Sequence, residues 1–267
     1  MDEPLSATPI RPESARYAAS LVCLPGLWTP PVLWQGLTTY LAHRGWEGAV
    51  LDLRRVRGGI AARAAEVAQY VTRLPGAPIL IGHDAGALVA LAVAARTRPA
   101  ALVLLAPLVP GATAVRALGL RFGTLPALLL RLPVPAPRGA AAAPLVAGLP
   151  SPVRTSVLGA LAPEAADVIL DVARARVDPA PVGGVPALLV GGGSDPLLSP
   201  QEGAGFARTI GAEHQVVPEG THWLLAGPGW EETVAVVHRW LVQRLGEPLL
   251  EFYPEALAAR EAEDGET

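Results

Sequence analysis

One short segment of this 267-residue chain has the residue types and spacing for covalent chemistry, Gly82-His83-Asp84-Ala85-Gly86. Glycines two before and two after a central residue suit a strand that turns sharply into a helix. The central side chain is then exposed at the carboxyl edge of a sheet, and the two backbones approach closely. An aspartate there is expected to be held ionised by the helix dipole and by backbone N–H groups. It needs no base to act as a nucleophile, and it suits displacement at a saturated carbon bearing a leaving group, which gives an alkyl-enzyme ester. Attack on a carboxylic ester suits it less, because the product is a high-energy anhydride. Two candidate partners follow downstream, Asp195 in Gly193-Ser194-Asp195-Pro196 and His222 in Gly220-Thr221-His222-Trp223. Each residue also has a structural reading: Asp84 as a helix N-cap, Asp195 as a turn aspartate, His222 as a hydrogen-bonding histidine.

The elements that must position these residues follow from the hydrophobic pattern. Apolar runs of strand length at 20–24, 48–53, 78–81, 101–106, 186–190 and 213–217 alternate with helical stretches at 32–43, 60–74, 87–96, 201–209 and 231–245. That alternation is the signature of an α/β fold with a mostly parallel sheet and helices on both faces. It predicts a core over residues 1–106 and 186–267, interrupted at 107–185 by a helical cap rich in Pro, Gly and Ala. Short helices are expected in the cap at 115–120, 125–132 and 164–175, and the tail from Gly246 should form one more short helix before an acidic end. Seven cap arginines (116, 121, 131, 138, 154, 174, 176) face four acids (164, 167, 171, 178), which reads as solvated helix faces or as an anion-attracting lid.

Composition removes several chemistries. Every one of the 21 cationic residues is arginine, and there is neither lysine nor asparagine. Phosphate-loop lysines, Schiff-base lysines, Cys-His-Asn triads and N-glycosylation are therefore out. The single cysteine, Cys23, excludes an internal disulfide, an iron–sulfur cluster and thiolate zinc sites. A formal net charge of −3 carries no nucleic-acid footprint. The first residues lack a signal-peptide pattern, and the longest apolar stretch, 99–110, is short of the roughly 20 residues that span a bilayer. A cytoplasmic protein needing no metal or organic cofactor is expected, acting on a small molecule, without nucleic acid or membrane as partner and with a homodimer as an option.

Taken together, these motifs resemble the α/β-hydrolase superfamily over nearly the whole chain. Leu24-Pro25-Gly26-Leu27-Trp28 is similar to its oxyanion loop, Gly82–Gly86 to its nucleophile elbow, the segment around Asp195 to its acid loop and that around His222 to its histidine loop. The order 84, 195, 222 is the family's order. The resemblance implies Asp84 as nucleophile, His222 as general base and Asp195 as its orienting acid. It implies an oxyanion hole from the backbone N–H groups of Ala85 and of Leu27 or Trp28. Trp28, Trp223 and His83 are the candidate substrate-binding residues, in a mostly apolar pocket. His83, with His43, His214 and His238, otherwise reads as structural. Three departures stand out: aspartate for the usual serine at 84, Pro25 for the usual histidine, and too few residues before the first core strand for the family's full N-terminal hairpin. About six parallel strands and at most one more are expected.

Elbow aspartates in this superfamily belong to epoxide hydrolases and to haloalkane and haloacetate dehalogenases, so an epoxide or an alkyl halide is the leading substrate class. The usual accessory groups are absent: the tyrosines (17, 40, 70, 253) lie outside the cap, Ala85 replaces the tryptophan or arginine after the nucleophile, and there is no asparagine for halide. Trp28 or Trp223 could supply N–H donors instead, and a cap arginine could bind a carboxylate. Two alternatives remain open. One is acid/base isomerisation, cyclisation or lyase chemistry with Asp84 and His222; the other is a serine-esterase relative whose nucleophile is replaced.

Overall fold

A computed structural model describes residues 5–109, 124–174 and 182–250, with side chains through residue 246. The expected helix at 115–120 and the tail beyond 250 lie outside the described residues.

The central strand-length apolar runs become strands because each is covered on both sides. β2 (Leu21–Leu24), β4 (Ile79–His83), β5 (Ala101–Leu105) and β6 (Ala187–Gly192) are buried at every position, as expected of parallel strands under two helical layers. With β1 (Ala7–Ile10), β3 (Gly48–Leu51) and β7 (Glu213–Val217) they form one seven-stranded sheet in the order β1-β3-β2-β4-β5-β6-β7. Six strands run parallel, and β1 alone is antiparallel, pairing Ala7 with Leu51 and Ile10 with Gly48. Among the described residues, β1 is the one strand before β2.

Strand alternation sorts the core into two clusters. Val22, Leu24, Leu51, Leu80, Leu102, Leu104 and Leu189 point to one face, under α2 (Ile60–Val71), α3 (Ala85–Thr97) and α7 (Pro200–Ile210). Leu21, Cys23, Val50, Ile79, Ile81, Val103, Leu188 and Val190 point to the other, under α1 (Gln35–His43) and α8 (Trp230–Leu250). The α8 helix does not break at Gly246 but continues to Leu250.

Between β5 and β6 the alternation stops as the sequence suggests. The described part of this insert holds α4 (Leu125–Leu129), a 3-10 turn at Gly139–Ala142, α5 (Ser151–Ala160) and α6 (Ala166–Ala173). Its Leu128, Val134, Leu145, Leu149, Val157, Val168 and Ile169 join the same apolar cluster as α2 and α3. The insert is therefore packed onto the core rather than separate from it.

Candidate active site

The chain leaves β4 at His83 and enters α3 at Ala85, so the whole turn falls on Asp84, whose φ is 54°. A left-handed backbone at a residue with a Cβ costs on the order of 1–3 kcal/mol and persists only where its surroundings hold it. The flanking glycines make that possible. A Cβ at Gly82 would stand 2.5 Å from the Ala87 Cα, and one at Gly86 would run into the Leu24 carbonyl. Asp84 precedes α3, yet its side chain makes no capping hydrogen bond, and its backbone is not the extended form of an N-cap. The capping reading is set aside.

The two oxygens of Asp84 have different surroundings. Oδ2 accepts a hydrogen bond from the Leu27 N–H at 3.0 Å, and the Ala85 N–H also acts on the carboxylate. Gly26 makes room for this, since a Cβ there would lie 2.5 Å from the Asp84 Cβ. Oδ1 is buried and has no protein partner. Burial pushes the Asp84 carboxyl up to about 7, against the lowering influence of His222 and of the Leu27 and Ala85 N–H groups. The helix dipole and N–H groups therefore do not keep Asp84 a freely ionised carboxylate as its place in the sequence suggests; desolvation outweighs them.

Asp195 and His222 are brought together by two loops stitched to each other through the backbone. After β6, the Gly193 and Ser194 N–H groups donate to the Val217 and Gly220 carbonyls at 2.8 and 2.9 Å. Asp195 uses both its oxygens: Oδ1 accepts from the Leu197 N–H at 2.7 Å, and Oδ2 lies 3.0 Å from His222 Nδ1. His222 Nε2 is left buried and unpartnered. Burial pulls the His222 imidazole down, but the Asp195 contact and the nearby Asp84 outweigh it and hold the ring above the ordinary histidine value. A histidine oriented at Nδ1 and bare at Nε2 is arranged to take a proton from water or to give one up.

The remaining candidates are placed less freely. His83 Nε2 donates to the His222 carbonyl at 2.9 Å, and its ring packs against those of His222 and Trp223. Burial, then the His222 charge, pull His83 down to about 3, so it is neutral and its Nδ1 is a bare acceptor. The Trp28 indole N–H donates to the Val134 carbonyl at 3.1 Å, and the Trp223 indole N–H to the Leu145 carbonyl at 2.7 Å. Neither indole is free to hold a departing halide, contrary to expectation. The Trp28 backbone N–H is also taken, by Glu164 Oε2 at 3.3 Å, which leaves Leu27 and Ala85 as the N–H groups directed at Asp84.

Glu164 and Arg63 have no counterpart among the sequence candidates. Their side chains, 0% and 2% exposed, form an ion pair between the insert and α2. Arg63 lies on the same stripe of α2 as the buried Ile60, Ala64, Val67 and Val71. A lone charge on an apolar stripe is the signal that marks it. Among the described charges of the insert, Glu164 is spent on Arg63, Arg131 pairs with Asp167 and Arg154 donates to the Leu149 carbonyl, while Arg138 and Arg174 are exposed.

The same fold recurs in solved structures of low sequence identity. A thermophilic esterase from Thermogutta terrifontis is 21% identical with a TM-score of 0.64, over 90% of this chain and 93% of its own. A monoacylglycerol lipase from Paleococcus ferrophilus is 17% identical with a TM-score of 0.70, over 91% of this chain and 100% of its own. A methylesterase from Arabidopsis is 15% identical with a TM-score of 0.64, over 83% of this chain and 98% of its own. No curated protein matches the chain. The alpha/beta hydrolase family model matches residues 21–236, from the first residue of β2 into α8, and so takes in the loop after β2, the turn at Asp84 and the loops that carry Asp195 and His222. By that match, over most of its length, the chain belongs to the alpha/beta hydrolase family.

Proposed function

We propose that the protein is a hydrolase in which Asp84 attacks a saturated carbon bearing a leaving group, the carbon of an epoxide or an alkyl halide. The observation that carries this reading is the division of labour within one carboxylate. Asp84 Oδ2 sits against the Leu27 N–H while Oδ1 is bare, with the bare Nε2 of His222 close enough for its charge to act on the carboxyl. In the first step Oδ1 forms a bond to the carbon, and the leaving group departs with the electron pair. In the second, His222 Nε2 takes a proton from water, whose oxygen adds to the Asp84 Cγ. Charge then collects on Oδ2, where the Leu27 and Ala85 N–H groups stabilise it. Collapse breaks the Cγ–Oδ1 bond, and the alcohol leaves with Oδ1 and the proton carried by His222. Nucleophilic attack needs the ionised carboxylate, so the first step should strengthen as pH rises through about 7.

A second reading has its own support. A carboxyl poised near neutrality beside an imidazole held above its ordinary value is suited to pass a proton back and forth. Acid/base isomerisation, cyclisation or lyase chemistry would use the same two groups with no covalent intermediate. Single turnovers of epoxide and alkyl-halide panels in oxygen-18 water separate the two. Label in the Asp84 carboxylate, with unlabelled oxygen in the product alcohol, supports displacement; turnover without label at Asp84 overturns it and leaves proton transfer. Asp84→Ser tests kinship with the esterase fold relatives, and a gain of ester hydrolysis in that variant would favour the reading of a replaced serine.

A further inference from the structure

Gly26-Leu27-Trp28-Thr29 is a tight turn, closed by the Thr29 N–H on the Gly26 carbonyl at 3.3 Å. Its third residue is Trp28, with φ at 58°. A left-handed third residue is the type II arrangement, which favours glycine; a residue with a side chain prefers type I, reached by flipping the peptide between the second and third residues. Here that peptide carries the Leu27 carbonyl and the Trp28 N–H. In the flipped turn the Trp28 N–H would leave Glu164 and the Leu27 carbonyl would take its place, facing a carboxylate. Every hydrogen-bonding group of Trp28 is held by the insert. Its N–H donates to Glu164 Oε2 at 3.3 Å, its carbonyl accepts from the Ala162 N–H at 3.0 Å and its indole N–H donates to the Val134 carbonyl at 3.1 Å. Glu164 is fixed in turn by Arg63 and by the Ala165 N–H at 2.6 Å.

We infer that Glu164 is a positioning residue of the active site: by accepting from the Trp28 N–H its carboxylate anchors the turn at Trp28, and with it the adjoining Leu27 N–H that lies on Asp84. The Arg63 guanidinium holds Glu164 at that post from α2. The catalytic meaning of the Leu27–Asp84 bond rests on the reading of Asp84 as nucleophile; the positioning itself does not. Glu164 has a second, electrostatic action, because its charge opposes ionisation of Asp84. The groups facing that carboxyl are His222 from the loop after β7, the N–H groups of Leu27 and Ala85, and Glu164 from the insert. Asp195 and His83 stand behind His222.

The test is the amide proton of Leu27 in nitrogen-15 spectra, which in the wild type should follow the titration of Asp84. Glu164→Leu removes the acceptor, and the Leu27 amide should lose more than about half of its titration amplitude. Glu164→Gln keeps an acceptor for the Trp28 N–H, so the amplitude should persist. Its midpoint should fall by about half a pH unit or more, since one facing negative charge is gone. A folded Glu164→Leu protein with full amplitude overturns the inference. Where that variant does not fold, Glu164→Gln decides: an unmoved midpoint or a lost amplitude overturns it. None of these readings requires turnover, so they stand whether or not Asp84 takes up oxygen-18.

Discussion

Two buried polar networks lie close together in this molecule, and they end differently. The first links Asp84, His222, Asp195 and His83; it leaves Asp84 Oδ1, His222 Nε2 and His83 Nδ1 without protein partners. The second links Arg63, Glu164 and Trp28; it uses both carboxylate oxygens of Glu164 and every polar group of Trp28, with only Arg63 Nε bare. A bare buried polar atom costs about 1–3 kcal/mol, so a cluster of three needs a reason, and chemistry is one. The closed network is what a fold builds to hold a strained loop still. The contrast separates the atoms available to react from those that fix them in place.

The comparison is broken most directly at the proposed nucleophile. Asp84→Asn removes the charge from the open network while keeping its shape. Turnover should fall on the order of 10⁴-fold or more, as for other residues that act as one catalytic unit. Single-turnover kinetics on a substrate found by the labelling screen measures it. A loss under about tenfold would remove Asp84 from the reaction.

The closed network should respond in stability instead. Arg63→Met leaves Glu164 charged and unpaired in a dry interior, and the expected loss is about 3–5 kcal/mol in urea unfolding. Replacing both partners, Arg63→Met with Glu164→Leu, should recover most of that loss, because the penalty lies in the orphaned charge rather than in the missing pair. A double variant as unstable as the single would show that the hydrogen bonds Glu164 accepts from the Trp28 and Ala165 N–H groups, not the paired charge, carry the stability.

How far each network can be read in the sequence follows from the same difference. The open one is announced locally. Glycines at 82 and 86 are spaced by the geometry of one turn; Asp195 sits in the loop after the buried strand β6 and His222 in the loop after the edge strand β7. The strands are legible because parallel strands covered on both faces leave unbroken apolar runs. The closed one depends on partners 101 and 136 residues apart, and nothing near Glu164 announces Arg63 or Trp28. Arg63 alone carried a signal, a charge on an apolar stripe. The state of Asp84 was also illegible: a helix N-terminus is a local feature, whereas the desolvation that overrides it comes from residues throughout the fold. The same holds for the two indoles, whose carbonyl acceptors lie in the irregular insert.

Electrostatics sharpens the contrast further, since burying Asp84 ties stability to pH. Its folded value near 7 lies above the unfolded 3.8, so the folded protein holds a proton that the unfolded chain has lost over that interval. Stability from this group is complete below about 3.8 and declines as pH rises through about 7, by up to about 4 kcal/mol. His83 acts in the opposite direction: its folded value near 3 lies below the unfolded 6.5, so its contribution is present above 6.5 and declines as pH falls toward 3. Asp84→Asn should therefore be more stable than wild type at pH 8, with the gap closing toward pH 4. Urea midpoints across that range check it, and a gap that does not change with pH would remove the burial argument.

The smallest change aims at the seam between the two networks. Gly26 lies in the loop after β2 that the insert holds, and its missing Cβ is the space that the Asp84 side chain occupies, 2.5 Å from the Asp84 Cβ and 2.6 Å from Oδ2. Gly26→Ala should destabilise the fold by about 1–3 kcal/mol through overpacking. The strain falls on the loop and on Asp84 together, so Oδ2 should draw away from the Leu27 N–H. Activity should then fall more than the stability loss explains, with kcat changing more than KM, because in the proposed mechanism the bond lost is the one that strengthens in the transition state. Asp84→Gly removes the clashing side chain, and in that background Gly26→Ala should cost little. A double-mutant cycle measures the coupling between the two positions, and a coupling near zero would mean that the loop and the elbow are built independently.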